Sequence, residues 1–368
     1  MNMTDTGKTP FISSEESERI NILKVWLTVM IVFIHSADSN INFGAGTLYM
    51  YNPPWLVVLK YTVSEVLSRV AVPMFFFISA YFLFKKDFSW TKNIVKKVKS
   101  LLVPYLIMNS LWVLIYFLAQ SVPALSPFFS NPDNLVASWS LKDWLEHYFG
   151  SRANYAPLLY PLWFVRNLFI LNILAPLYKW FVQKTRYFSV AVFVIMWLTL
   201  ESTHIFFLDI QSVCFFGIGC FFALEKISIS ESDRYKVPTA VLYICLVAAS
   251  VLLRPQTGFF KMFICRLCFL TGMFFWYIFT TRIKSDRAKK VLLFVARYSF
   301  CIYLFHEMNL SILRKILVRF LPHTGFFAAV LYLGMPVVII SLCLLISRFL
   351  DRFIPRLYRV LSGGRSVA

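Results

Sequence analysis

Acidic residues are scarce in this chain. Asp and Glu together number 18 in 368 residues, against 37 Lys and Arg, and charged residues of both signs make up 15%. A soluble domain carries about 25%, so an ordinary water-facing globular surface is excluded. The strongly charged, weakly apolar composition of a disordered chain is excluded as well. Glycine is sparse, with 12 residues, and neither a P-loop nor a Rossmann glycine fingerprint occurs. There is no HExxH pair, no Gly-x-Ser-x-Gly elbow and no Ser-His-Asp order that would support an acyl-serine intermediate. The seven cysteines all lie in apolar segments, which leaves a disulfide framework without a place. Cys265 and Cys268 have CxxC spacing but no second ligand pair, so zinc is not expected there. Residues 1–20 lack the basic opening of a cleavable signal and read as a disordered cytoplasmic tail.

What the chain has is apolar content: 59% hydrophobic residues and a mean hydropathy of +0.67. Apolar runs bounded by polar clusters predict ten transmembrane helices near 21–38, 62–84, 101–120, 161–181, 187–203, 207–225, 237–253, 262–281, 291–309 and 326–349. The expected fold is therefore an all-α polytopic membrane protein. One membrane domain spans 21–350, and a basic cytoplasmic tail follows at 351–368. The widest connection, 121–160, carries several prolines and an amphipathic stretch from Trp139 to Phe149. With the N-terminus placed in the cytoplasm, 25 of the 37 Lys and Arg fall on the inner side against eight on the outer. That is a strong positive-inside bias, and it puts both termini in the cytoplasm. In a membrane protein such an excess reports orientation and affinity for anionic lipid or ligand before it suggests nucleic acid, and no nucleic-acid partner is expected.

Four cations belong to neither surface: Arg69, Arg166, Arg266 and Arg297. His35 and His306 join them, with Glu65 and Glu307 as available partners. Ionisable groups inside a bilayer normally face a bundle interior or a wet cavity, and they mark function by default. Arg166 and Arg266 lie near helix ends, where snorkelling to the headgroups is the alternative. His35 follows Lys24 by eleven residues, about 16 Å along a helix, which predicts a position near mid-depth. Arg69, on an antiparallel neighbour, comes to a similar level with Glu65 one turn away. A neutral imidazole can take a proton from an attacking hydroxyl, and a guanidinium can hold the charge developing on a carbonyl oxygen. A structural Arg–Glu pair beside a packed His is the bland alternative.

Five stretches carry a resemblance. Lys24-x10-His35, the run from Arg69 through Pro73 to Ser79, Ala80 and Tyr81, Lys96-Lys97 through Pro104-Tyr105, Leu162-Trp163-Phe164, and Ser299 through Tyr303 to His306 follow one another in order. Together they resemble the acyltransferase-3 family of integral membrane acyltransferases. Lys24 stands where that family usually has Arg, Asn21 where Asp is common, and Ala80 where Gly is usual.

The resemblance implies transfer of an acyl group, most often acetyl, from cytoplasmic acyl-CoA to a sugar hydroxyl of a surface polysaccharide or its lipid-linked precursor. O-antigen or exopolysaccharide biosynthesis in a bacterial inner membrane would be the setting. No bound cofactor is expected, with acetyl-CoA entering as donor substrate; membrane lipids and the glycan acceptor are the other partners. His35 would be the base and Arg69 would steady the thioester carbonyl. Lys24, Lys96, Lys97, Lys99 and Arg297 would attract the CoA phosphates. Glu65, Ser79, Trp163, Arg166, Tyr303 and His306 would shape the acceptor cavity. A secondary transporter or glycolipid flippase using the same buried His and Arg groups is the alternative.

Overall fold

The computed structural model describes residues 13–38, 40–43, 46–85, 89–131, 134–150, 156–201, 203–205 and 207–364. The tail expected at 1–20 falls mostly outside them. Its last part is helical: α1 runs Ser14–Ser36, started by Ser13, whose side chain accepts the Glu16 backbone N–H. A hairpin, β1 (Asn40–Phe43) with β2 (Gly46–Tyr49), follows, pairing Ile41 with Leu48. Then come α2 (Pro54–Phe84) and α3 (Trp90–Ser121). The amphipathic stretch forms α4 (Leu141–Phe149), closed by a Ser140–Asp143 capping box. Next are α5 (Tyr160–Ile173), α6 (Ala175–Thr185) and α7 (Tyr187–Thr199). A two-residue hairpin, β3 (His204–Ile205) with β4 (Leu208–Asp209), leads into α8 (Ile210–Leu224). The chain ends with α9 (Ile229–Leu252), α10 (Phe259–Arg282), α11 (Asp286–Phe320), α12 (Gly325–Phe353) and α13 (Pro355–Leu361).

Each of the ten apolar runs is helical, but they are not ten equal spans. Among the described residues, seven helices are long and apolar enough to cross a membrane, and eight if the pair α5 and α6, bent by 62°, counts as one. The remaining two, α7 and α8, have 13 and 15 residues, about 20–22 Å of rise against a hydrocarbon layer of about 30 Å. α8 is short because it is the bundle's core. It is apolar on all sides and buried from Cys214 to Phe221, so it has no lipid to match. The peripheral helices do the opposite: Val237, Val241 and Ile244 of α9 and Val337 and Leu345 of α12 are exposed, as a lipid-facing surface requires. The chain is a multi-pass membrane protein.

α8 crosses α2 at close range. A Cβ added to Gly219 would lie 2.3 Å from the Phe77 carbonyl oxygen and 3.1 Å from the Ala80 side chain. Small residues on both helices let the backbones approach. α2 itself is irregular, with a π-helical stretch at Tyr61–Leu67 and a tight turn at Ser68–Val70 before regular helix resumes. Pro73 has no N–H to offer the Arg69 carbonyl four residues back, which explains why the break falls there. Such breaks gather at functional sites, and this one carries Glu65 and Arg69.

Candidate functional site

The C-terminal end of α1 is pinned by three neighbours. Ser64 of α2 donates to the Phe33 carbonyl at 2.8 Å and also meets the Tyr332 hydroxyl of α12 at 2.9 Å. Arg314 of α11 donates to the His35 and Asp38 carbonyls at 3.3 and 3.2 Å, satisfying acceptors that a helix end leaves orphaned. Held this way, His35 points at the middle of α11. Its Nδ1 lies 3.3 Å from Glu307 Oε2, and its ring centroid lies 5.1 Å from that of His306. Tyr160, at the start of α5, stands edge-on to His35 at 5.8 Å.

His306 is fully buried, and its Nδ1 contacts the Tyr303 carbonyl at 2.6 Å. A carbonyl only accepts, so Nδ1 carries the proton and Nε2 presents a lone pair. Among the described residues neither that Nε2 nor Glu307 Oε2 makes a hydrogen bond; the His35–Glu307 approach has ion-pair distance without hydrogen-bond alignment. Buried polar atoms are nearly always satisfied, and exceptions ask for a reason. The ligating atoms of His35, His306 and Glu307 lie within 4.8 Å of one another, a spacing that a metal ion accepts. It equally suits a proton relay around an incoming hydroxyl.

The expected His35–Arg69 meeting is not what the helices build. Arg69 bonds Glu65 through Nη2 at 2.7 Å and Nε at 3.0 Å. Both side chains are about two-fifths exposed, and the hydrogen bonds of Arg69 go to Glu65 rather than to His35, although its charge reaches the imidazole. The depth arithmetic also shifts. α1 begins at Ser14, so His35 is about 32 Å from its start, one residue from the helix end rather than halfway along it.

The other predicted residues scatter. Lys24 sits eleven residues back, its Nζ on the Asn21 side chain and over the Phe82 ring. Lys96 and Lys99 are exposed and Lys97 half-buried on the first turns of α3. Arg297 is exposed on α11, three helical turns or fewer before His306 and outside its cluster. Ser79 bonds its own helix at the Phe75 carbonyl, and Trp163 packs on Phe76. Tyr303 donates to the Pro161 carbonyl, tying α11 to α5.

Arg166 and Arg266 do not snorkel. Both are buried, and both bond backbone carbonyls: Arg166 those of Phe149, Gly150 and Phe207, Arg266 those of Trp197 and Leu200. Gly150 is the left-handed cap of α4, at φ 65°, where a Cβ would strike the Arg166 guanidinium. Two functional neighbours escape a reading of the sequence. Tyr160 opens α5 directly after a long connection without periodicity, whereas Arg314 could have been found seven residues after Glu307, on the same face of α11.

A family model described as an acyltransferase domain, acyltransferase-3, matches residues 17–348. The succinoglycan biosynthesis protein ExoH of Rhizobium meliloti (strain 1021) is 26% identical over 371 residues, covering 96% of this chain and 93% of that protein. No solved structure matches.

Proposed function

This chain belongs to the acyltransferase family whose model it matches along nearly its whole length, and on that premise we propose that it is an inner-membrane O-acyltransferase. It moves an acyl group, acetyl in our reading, from cytoplasmic acyl-CoA to a sugar hydroxyl of a surface polysaccharide or its lipid-linked precursor. The relative named for succinoglycan biosynthesis supports a polysaccharide setting.

The observation that carries the reaction is the His35–Glu307 pair beside the bare Nε2 of His306. His35 takes the proton of the acceptor hydroxyl as that oxygen attacks the thioester carbonyl. Glu307 steadies the resulting imidazolium. The carbon–sulfur bond breaks, and the proton passes to the departing thiolate, which leaves as CoA. Lys24, Lys96, Lys97, Lys99 and Arg297 are the cations available to CoA phosphates on the side where α1 begins. By the positive-inside bias that side is cytoplasmic. His35, at the far end of α1, then faces the outer compartment.

His35→Ala tests this. With labelled acetyl-CoA and purified protein, transfer should fall by about 10²–10⁴-fold, the usual contribution of a general base, while expression and thermal unfolding are unchanged. Retained transfer, or solute accumulation in liposomes without release of CoA, would contradict the proposal.

A further inference from the structure

At the end of the bundle where α1 stops, the irregular part of α2 faces the starts of α8 and α10 across an open cleft of about 530 Å³, within the usual range for a small-molecule site. Its wall carries Tyr61, Glu65, Arg69, Asp209, Gln211 and Lys261. We propose that this cleft binds the saccharide acceptor, an assignment that rests on the acyltransferase reading.

The chemistry of the wall selects the ligand. A phosphate site gathers free cations; here two carboxylates, Glu65 and Asp209, stand with three cations, Arg69, Lys261 and Arg266, the last of them already bonded to backbone carbonyls, and the carboxylates would repel a polyanion. A polyhydroxylated ring offers donors and acceptors in every direction, and a wall of mixed sign answers both. The Gln211 side-chain amide hydrogen-bonds the neighbouring Asp209 carboxylate, which leaves its second N–H and its carbonyl oxygen to meet a sugar as donor and acceptor. Asp209 is held in place because its Oδ1 accepts the Gln211 backbone N–H at 2.9 Å. Lys261 is steadied by the Arg254 and Gln256 carbonyls and lies over the Tyr61 ring at 5.7 Å. Arg266, also in the wall, is already committed to the carbonyls of α7, and serves the cleft as scaffold.

The cleft lies close enough to the reaction centre for the Arg69 charge to be felt at both His35 and Tyr160. Tyr160, edge-on to His35, is half-exposed. The charges of Arg69, Asp209 and Glu65, all from the cleft, act on it together with that of Glu307. On this proposal a sugar seated between α2 and α8 turns a hydroxyl toward the Tyr160 and His35 side of the cleft. The Glu65–Arg69 pair thereby gains a task as part of the acceptor wall, its hydrogen bonds being spent on each other rather than on the base.

The test uses the full chain in nanodiscs and, as probe, unacylated surface polysaccharide extracted from cells lacking the gene. Gln211→Ala with Lys261→Met should weaken polysaccharide binding, and raise its KM, by about tenfold or more, as loss of two polar contacts at about 1.4 kcal/mol per tenfold implies. The KM for acetyl-CoA should stay within about twofold, by the same arithmetic. Gln211→Asn, which keeps the amide, controls for folding. An unchanged polysaccharide KM, or equal rises in both KM values, overturns the cleft assignment. So does polysaccharide binding that is abolished by anionic lipid in the nanodisc, which would hand the cleft to a headgroup. Should the wild type bind polysaccharide through these residues and yet release no CoA, the cleft stands and the acyltransferase reading falls.

Discussion

The two ends of α1 both bury charge, and they treat it in opposite ways. Near the start, Glu16 accepts from the Tyr81 hydroxyl, the Ser228 hydroxyl and the Ile229 backbone N–H. One turn on, Arg19 forms a two-pronged pair with Asp233, bonds Thr280 and lies over the Tyr277 ring at 4.1 Å. At the other end His306 Nε2, Glu307 Oε2 and Arg314 Nε are buried with no hydrogen bond among the described residues. A satisfied network fixes a structure, whereas one left short of partners is held ready for a ligand or a proton. Burial of charge alone does not separate the two; the inventory of partners does.

The contrast is broken most sharply by Glu307→Gln, which keeps the shape of the unsatisfied end and removes its charge. Acyl transfer should drop by about 10²–10⁴-fold, as for loss of the base itself, with the unfolding midpoint level or raised because a buried carboxylate oxygen without a hydrogen bond is gone. Transfer from labelled acetyl-CoA and thermal unfolding in detergent measure both. A variant that loses stability and activity in parallel would place Glu307 with the structural network.

Glu16→Ala is the mirror experiment. It strands three donors, each worth about 1–3 kcal/mol when left unmet and not fully additive, so about 3 kcal/mol of stability should go. The protein that remains folded should keep its KM for both substrates. A selective loss of acetyl-CoA affinity would instead bring this end of the bundle into the donor site.

Much of this was legible in the residues, and the failures have physical causes. Ionisable side chains in apolar runs announce themselves, so His35, His306 and Glu307 are visible; hydropathy likewise finds the ten apolar runs as helices, but not α13 or the start of α1, which fall in the stretches read as tails. Which of them meet was not visible. Depth counted from Lys24 misplaces His35, because Ser13 caps α1 well before it, and His35 at the helix end meets Glu307 and His306 of α11. Helix length fails as a guide for α8, because a core helix has no bilayer thickness to match. Arg166 and Arg266 resemble functional cations because their true partners are backbone carbonyls at helix ends, which have no sequence signature. Tyr160 sits in a connection whose only local marks are prolines.

Zinc sharpens the comparison from the solvent side. The end with bare ligand atoms should take up Zn²⁺ and be inhibited as His35 is capped, while the saturated end is indifferent. His306→Ala should weaken that inhibition by about 10–100-fold, since losing a ligand costs at least what losing an outer partner does. Inhibition that persists in the variant would locate the ion elsewhere.

The smallest effect expected is one of pH, and it tests the cleft at the unsatisfied end. Burial pushes the Asp209 carboxyl up to about 6, with hydrogen bonds from the Gln211 backbone and side chain and from the Ser212 backbone, and the Arg266 charge, working against it. The group is therefore neutral below about pH 6 and ionised above. A carboxylate accepts sugar hydroxyls where a carboxylic acid does so less well, so the polysaccharide KM should fall by a few-fold as pH rises through that value. Stability should move the other way. The folded state keeps a proton that the unfolded chain has released, so the contribution of Asp209 to stability declines between about pH 4 and about 6. Asp209→Asn, which preserves the cap on α8, should flatten both trends. A pH profile of the polysaccharide KM that survives the substitution would overturn the assignment of the trend to Asp209.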